Sequence, residues 1–212
     1  MLAFRIALHL ALGVSAPGIG GEAVVEFEGL PLGTVYGAPA APPHMPEELV
    51  YNEAGIRMSV ETFYSTQVLT DFSDARVVTA DLGRGPSNAL ALNSIGVRFD
   101  FVELGFPVGQ VTIDIFDHGG TSNFAVNGGG LQILDALTDL QADVAPGVLA
   151  SFNGSTVTVT GVTADITDLQ IGGQELVIDH IAAVPDPATG LLLLGGAFVF
   201  VRRGQPARRR DG

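Results

Sequence analysis

Asp117, His118 and Asn123 stand close together in the run Asp117-His118-Gly119-Gly120-Thr121-Ser122-Asn123 of this 212-residue chain. A carboxylate, an imidazole and an amide at that spacing can bond a sugar hydroxyl or ligate a metal. The same composition is also ordinary turn chemistry, with glycine supplying positive φ between two strands. His118 and His180 form a zinc pair only if a third ligand accompanies them, and none stands at a recognised spacing, so zinc is excluded. Flat sugar-binding surfaces stack pyranose rings on Trp or Tyr; this chain has no Trp and three Tyr (Tyr36, Tyr51 and Tyr64), so sugar contact falls to Tyr64, to Phe or to polar loops. There is no Gly-x-Ser-x-Gly, no phosphate-cradling loop and no His-Glu-x-x-His. Cysteine is absent, which removes thiol catalysis, Cys-based zinc, iron–sulfur clusters and disulfide staples.

Such side chains need a scaffold, and the pattern predicts strands. Ile56 to Tyr64 alternates apolar and polar residues, as do Val97 to Val102, Val111 to Phe116 and Thr156 to Thr160. Val24 to Glu28 opens this region and Leu176 to Ile181 closes it. A two-residue period, β-branched enrichment and 28 glycines point to an antiparallel β-sandwich. Leu131 to Ala142 reads equally as a helical turn or as a strand with a loop. Gly37 to Pro46, with four prolines, reads as an irregular surface loop.

Charge divides the chain. Residues 24–187 carry four arginines against 21 acids, a net −17, whereas the last eleven residues hold five arginines and one aspartate. A surface so acidic repels phosphate backbones, which excludes nucleic acid as a partner; divalent cations suit it, and so does plain solvation. The 21 acids offer so many carboxylate pairs that none is singled out for glycoside hydrolysis.

The ends are of another kind. Residues 1–23 read as a secretory signal peptide: Arg5, an apolar stretch from Ile6 to Val14, and small residues before Gly21-Glu22-Ala23. At the other end Val184-Pro185-Asp186-Pro187 precedes an apolar run to Val201, then Arg202-Arg203 and Arg208-Arg209-Arg210. That run is shorter than the roughly 20 residues of a permanent membrane helix. The arginines act as a cytoplasmic stop, with Arg202 and Arg203 at its edge. The prolines hold the outer side extended and open to a protease.

These last 29 residues resemble the PEP-CTERM sorting signal, with Asp186 where that family usually has Glu. The resemblance implies export, a transient inner-membrane anchor through a short hydrophobic helix, cleavage by exosortase at the motif Val184, Pro185, Asp186, Pro187, and delivery to the surface or the extracellular polysaccharide matrix. Phe27-Glu28-Gly29-Leu30 and Gly172 to Asp179 are in turn similar to the ends of jelly-roll carbohydrate-binding modules, with His180 where a second Asp is usual. That resemblance implies a jelly-roll-like sandwich and a structural Ca²⁺ between the first and last strands, with Glu28 and Asp179 as ligands.

The domain boundaries expected are therefore 1–23 for the signal peptide, 24–183 for the sandwich and 184–212 for the sorting tail. The expected function is non-catalytic: an exported surface or matrix protein that binds carbohydrate weakly or packs in exopolysaccharide, with Asp117, His118, Asn123 and Tyr64 as candidate ligand contacts. A structural adhesin or coat component without a specific ligand, and a secreted polysaccharide hydrolase, are the alternatives.

Overall fold

In the strand Thr156–Gly161 the valines at 157 and 159 are fully buried while the alternating threonines at 156, 158 and 160 face out. That alternation, repeated along the chain, builds two antiparallel sheets face to face. A computed structural model describes residues 21–38, 40–65 and 73–187. The expected signal peptide up to residue 20, and the tail from residue 188 with its apolar run, Arg202 and Arg203, lie outside the described residues. Among the described residues no helix is long and apolar enough to cross a membrane.

In chain order the strands are β1 Ala23–Val25, β2 Val35–Gly37, β3 Leu49–Glu53, β4 Ile56–Glu61, β5 Asp74–Asp81, β6 Pro86–Asn93, β7 Ile95–Asp100, β8 Val108–Asp117, β9 Ser122–Val126, β10 Gln132–Leu134, β11 Asp143–Ala145, β12 Val148–Phe152, β13 Thr156–Gly161, β14 Asp168–Gly173 and β15 Leu176–Pro185. The first sheet runs β11-β12-β13-β8-β15-β6-β5-β2, with β1 added beside β15; the second runs β10-β9-β14-β7-β4-β3. The chain steps from β6 to β7 to β8 to β9 between sheets, and from β13 to β14 to β15 on its return. The central rows β6-β15-β8-β13 and β7-β14-β9-β10 have the interleaved order of a jelly roll. The all-β sandwich expected from the alternation is the fold.

Between the sheets lie Phe27, Phe99, Phe101 and Phe124, all fully buried, with Ile56, Met58, Leu90, Ile113 and Ile115. In a chain without disulfides this apolar interior is the main source of stability. The undecided segment near 131–142 resolves into β10 and a short 3₁₀ turn at Leu137–Asp139. Among its described residues, the proline-rich stretch after Gly37 forms neither strand nor helix up to Pro46.

The first and last strands pair, Ala23 opposite Ala183 and Val25 opposite Ile181. The first half of β15 instead pairs with β6, Leu176 opposite Leu92 and Ile178 opposite Leu90. The change of neighbour occurs at a register shift after Asp179, where His180 has φ 48°. The expected strand through Glu28 stops at Val25 because Phe27 turns into the left-handed region (φ 57°), dropping its ring into the core. The Glu53 carboxylate on β3 holds that turn by accepting the N–H groups of Glu26 (3.0 Å) and Phe27 (3.2 Å) and the Tyr51 hydroxyl (3.1 Å). Burial and the Glu53 carboxylate push the Tyr51 phenol up to about 12.

Both sequence boundaries fall inside strands. Ala23, the expected last residue of the signal peptide, is the first residue of β1, and β15 runs on through Val184 and Pro185, with Pro185 opposite Val108. Asp186 follows with its N–H on the Pro107 carbonyl at 2.9 Å.

Candidate binding groove

The outward face of the second sheet carries a polar row. Ser59 on β4 stands opposite Arg98 on β7, Arg98 opposite Gln170 on β14, and Gln170 opposite Ala125 on β9. One row along, Glu61 faces Gly96, and Gly96 faces Gly172. A Cβ on Gly96 would stand 3.2 Å from the Glu61 Cβ, and one on Gly172 only 2.9 Å from the Gly96 Cα. The two glycines thus make a floor low enough for Glu61 to lie across it. Of these residues Glu61, Arg98, Gln170 and Ala125 line a groove of about 390 Å³, walled by Tyr64, Thr62, Glu47 and Asp168.

Glu61 is 7% exposed. Its Oε1 stands 3.3 Å from Arg98 Nε, yet out of line for a hydrogen bond, so both atoms are buried without a hydrogen-bond partner. Burial pushes the Glu61 carboxyl above the usual carboxylate range; Arg98 pulls it back, while Glu47 and Asp168 push it further up.

Tyr64 enters this groove because its backbone is clamped. The fully buried Asn123 accepts the Tyr64 N–H at 2.7 Å and donates its Nδ2 to the Tyr64 carbonyl at 2.6 Å. Two of the expected ligand contacts therefore meet, but with unequal parts: Asn123 positions Tyr64, and Tyr64, 39% exposed, lines the groove. Asp117 and His118 sit elsewhere. Asp117 closes its own turn by accepting the Gly119 N–H at 2.8 Å, and the His118 ring packs edge-on against Phe116 at 4.4 Å. His118 lines a separate polar pocket of about 360 Å³ with Gln174, Glu175 and Asn93.

Glu28 and Asp179, the expected calcium ligands, reach neighbouring residues of β6. Glu28 accepts the Asn88 N–H at 2.9 Å; Asp179 accepts the Ser87 hydroxyl at 2.6 Å and the His180 N–H at 2.7 Å. The two ends of the domain are thus already clipped by hydrogen bonds. Among the described residues no group of three or more His, Asp or Glu is placed to hold a metal. Asp179 also stands cross-strand from Asp114, an arrangement that costs stability when both are charged. Arg84, from the β5–β6 turn, answers that repulsion with its Nε at 2.6 Å from Asp114 Oδ2. Burial pushes the Asp179 carboxyl up, against the Ser87 and His180 bonds that favour its ionised form.

Compared with family models, with curated proteins and with solved structures, the chain matches none.

Glu61, Arg98, Gln170 and Asp168 were not among the residues singled out from sequence. A signal existed: residues 24–187 have only four arginines among 21 acids, so an arginine between Val97 and Phe99, on the outward side of an alternating strand, marks a place where positive charge is held deliberately.

Proposed function

We propose that this chain is an exported surface or matrix protein, released from a transient membrane anchor by exosortase, whose sandwich binds carbohydrate without cleaving it. The observation that carries the binding half is the groove on the second sheet, where Tyr64 stands beside Glu61, Arg98 and Gln170. Sugars present a weakly apolar ring face and pairs of hydroxyls. A half-exposed phenol suits the first, and planar carboxylate, guanidinium and amide groups suit the second. The export half is supported by the order of the tail's parts: the proline motif, a short apolar run and terminal arginines.

A glycan array read with the wild type and with Tyr64→Ala tests the binding half. Binding lost in the variant supports the groove; equal binding by both refers the contact to another surface. Release of reducing ends from a bound glycan, abolished by Glu61→Gln, would turn the reading to a hydrolase. For the export half, mass spectrometry of the secreted protein should show a chain ending near Pro185 to Pro187, and an intact Arg-rich end would remove exosortase from the account.

A further inference from the structure

We infer that the sandwich itself decides where the tail is cut: the fold withholds Val184, Pro185 and Asp186, and the protease cuts between Asp186 and Leu191. This rests on the export reading above and narrows it. The segment is extended, as its prolines require, but it is not open. Val184 stands opposite Gln110 and Pro185 opposite Val108, in a strand flanked on its other side by β1 as far as Ala183. Past the strand, the Pro107 carbonyl accepts the Asp186 N–H at 2.9 Å. An extended peptide is captured as an added strand, through its main-chain N–H and C=O groups. Along this stretch β8 already occupies one edge of the main chain, so a protease must first peel it away.

Gly109 points the same way independently of the hydrogen bonds. It is not among the glycines of positive φ, so its own backbone does not call for glycine. The chain lying over it does: a Cβ there would stand 2.7 Å from the Asp186 Cα and 3.1 Å from the Asp186 N. The backbone of Asp186 thus packs directly on that of β8, in space that any side chain would fill. Asp186 also lines a pocket of about 290 Å³ with Gly161, Val162 and Asp165, so the turn between β13 and β14 flanks it as well. Only Pro187, Ala188, Thr189 and Gly190 separate this hold from the apolar run that begins at Leu191. The step from Asp186 to Leu191 covers at most about 18 Å even when fully extended. With the run in the membrane, this end of the sandwich lies close to the bilayer, and a membrane protease has only that short link to work on. Hydrolysis of one peptide bond there gives the domain a new terminal carboxylate and leaves the new amine on the tail. The mature chain keeps Val184, Pro185 and Asp186.

The test is mass spectrometry of the full chain after secretion from cells that carry exosortase. The mature chain should end at Asp186 or within Pro187 to Gly190. An end at Ala183, Val184 or Pro185 would overturn the inference while leaving exosortase in the account. An intact Arg-rich end would remove exosortase instead, and digestion of the purified full chain by proteinase K then decides the hold alone. Under native conditions cuts should appear after Asp186 while Val184 and Pro185 resist. Gly109→Ala, which adds only the Cβ that meets Asp186, should speed cutting before Asp186 by about tenfold. Gly130→Ala, whose Cβ meets nothing within 4 Å, should cut as the wild type does. Prompt wild-type cutting at Val184 or Pro185 would overturn the hold. Equal rates in the wild type and Gly109→Ala, or an equal gain in Gly130→Ala, would overturn the packing of Asp186 on Gly109 as its source.

Discussion

Asn123 shows how much one side chain carries at the residue scale. It is fully buried and makes two short hydrogen bonds to the Tyr64 backbone, so Asn123→Ala leaves a part-buried N–H and a part-buried carbonyl without that partner. The expected cost is about 2–4 kcal/mol, read by urea denaturation, together with weakened binding through a Tyr64 no longer held in place. Asp179 and Glu61 make a prediction about pH. Burial raises both carboxyls, so between the ordinary carboxylate range and the raised value the folded chain binds more protons than the unfolded one. Stability then falls as pH rises through that window and is greatest below it. The thermal midpoint should climb as pH is lowered from neutral towards the ordinary carboxylate range, and the climb should shrink in Asp179→Asn. Glu48, lowered by the Met45 N–H and by His44, works in the opposite sense but is exposed to solvent and screened.

At the scale of elements, the junction of β15 with the tail is the most constrained place. Gly109 on β8 leaves room for the backbone of Asp186, where a Cβ would stand 2.7 Å from the Asp186 Cα. Gly109→Val should push the end of β15 off the sheet, at a cost of about 1–3 kcal/mol, and expose Val184 and Pro185 to limited proteolysis. Unchanged protection there would show that the strand end tolerates the added bulk. The junction of β1, β6 and β15 carries a second prediction. Because Glu28 and Asp179 are satisfied by Asn88, Ser87 and His180, chelation should leave the thermal midpoint where it was. A fall on chelation that Ca²⁺ restores would show that a metal replaces those bonds. The elements also show what was legible. The alternations at Ile56–Val60 and Thr156–Thr160 named their inward faces correctly, because one face of each strand is core and the other solvent. The run Val24 to Glu28 misled beyond Val25, since the turn at Phe27 is held by Glu53 on the opposite sheet, a partner no local pattern contains.

For the molecule as a whole, the sandwich could be read from period and composition, whereas the groove could not. Its residues come from β4, β7 and β14, brought side by side only by the crossing of the jelly roll. Tyr64 was legible because aromatic side chains are scarce outside the core; Glu61 and Gln170 were not, because a polar residue in an alternating strand looks the same whether it faces open solvent or a ligand. Asp117 and His118 drew attention by their proximity in sequence, and the fold places Asp117 at the end of β8, where it closes the following turn, and His118 at another pocket. Sequence proximity is a poor guide in a sandwich, where neighbours on one face come from distant parts of the chain.

The most direct test of carbohydrate binding at the groove is a map of backbone amide shifts in the folded protein on titration with the glycan that the array selects. The account predicts changes clustered on the second sheet, at Glu61, Tyr64, Arg98, Ala125 and Gln170, with the outward face of β8 and β13 unmoved. Shifts confined to the first sheet or to the His118 pocket, or no shifts at all, would contradict it.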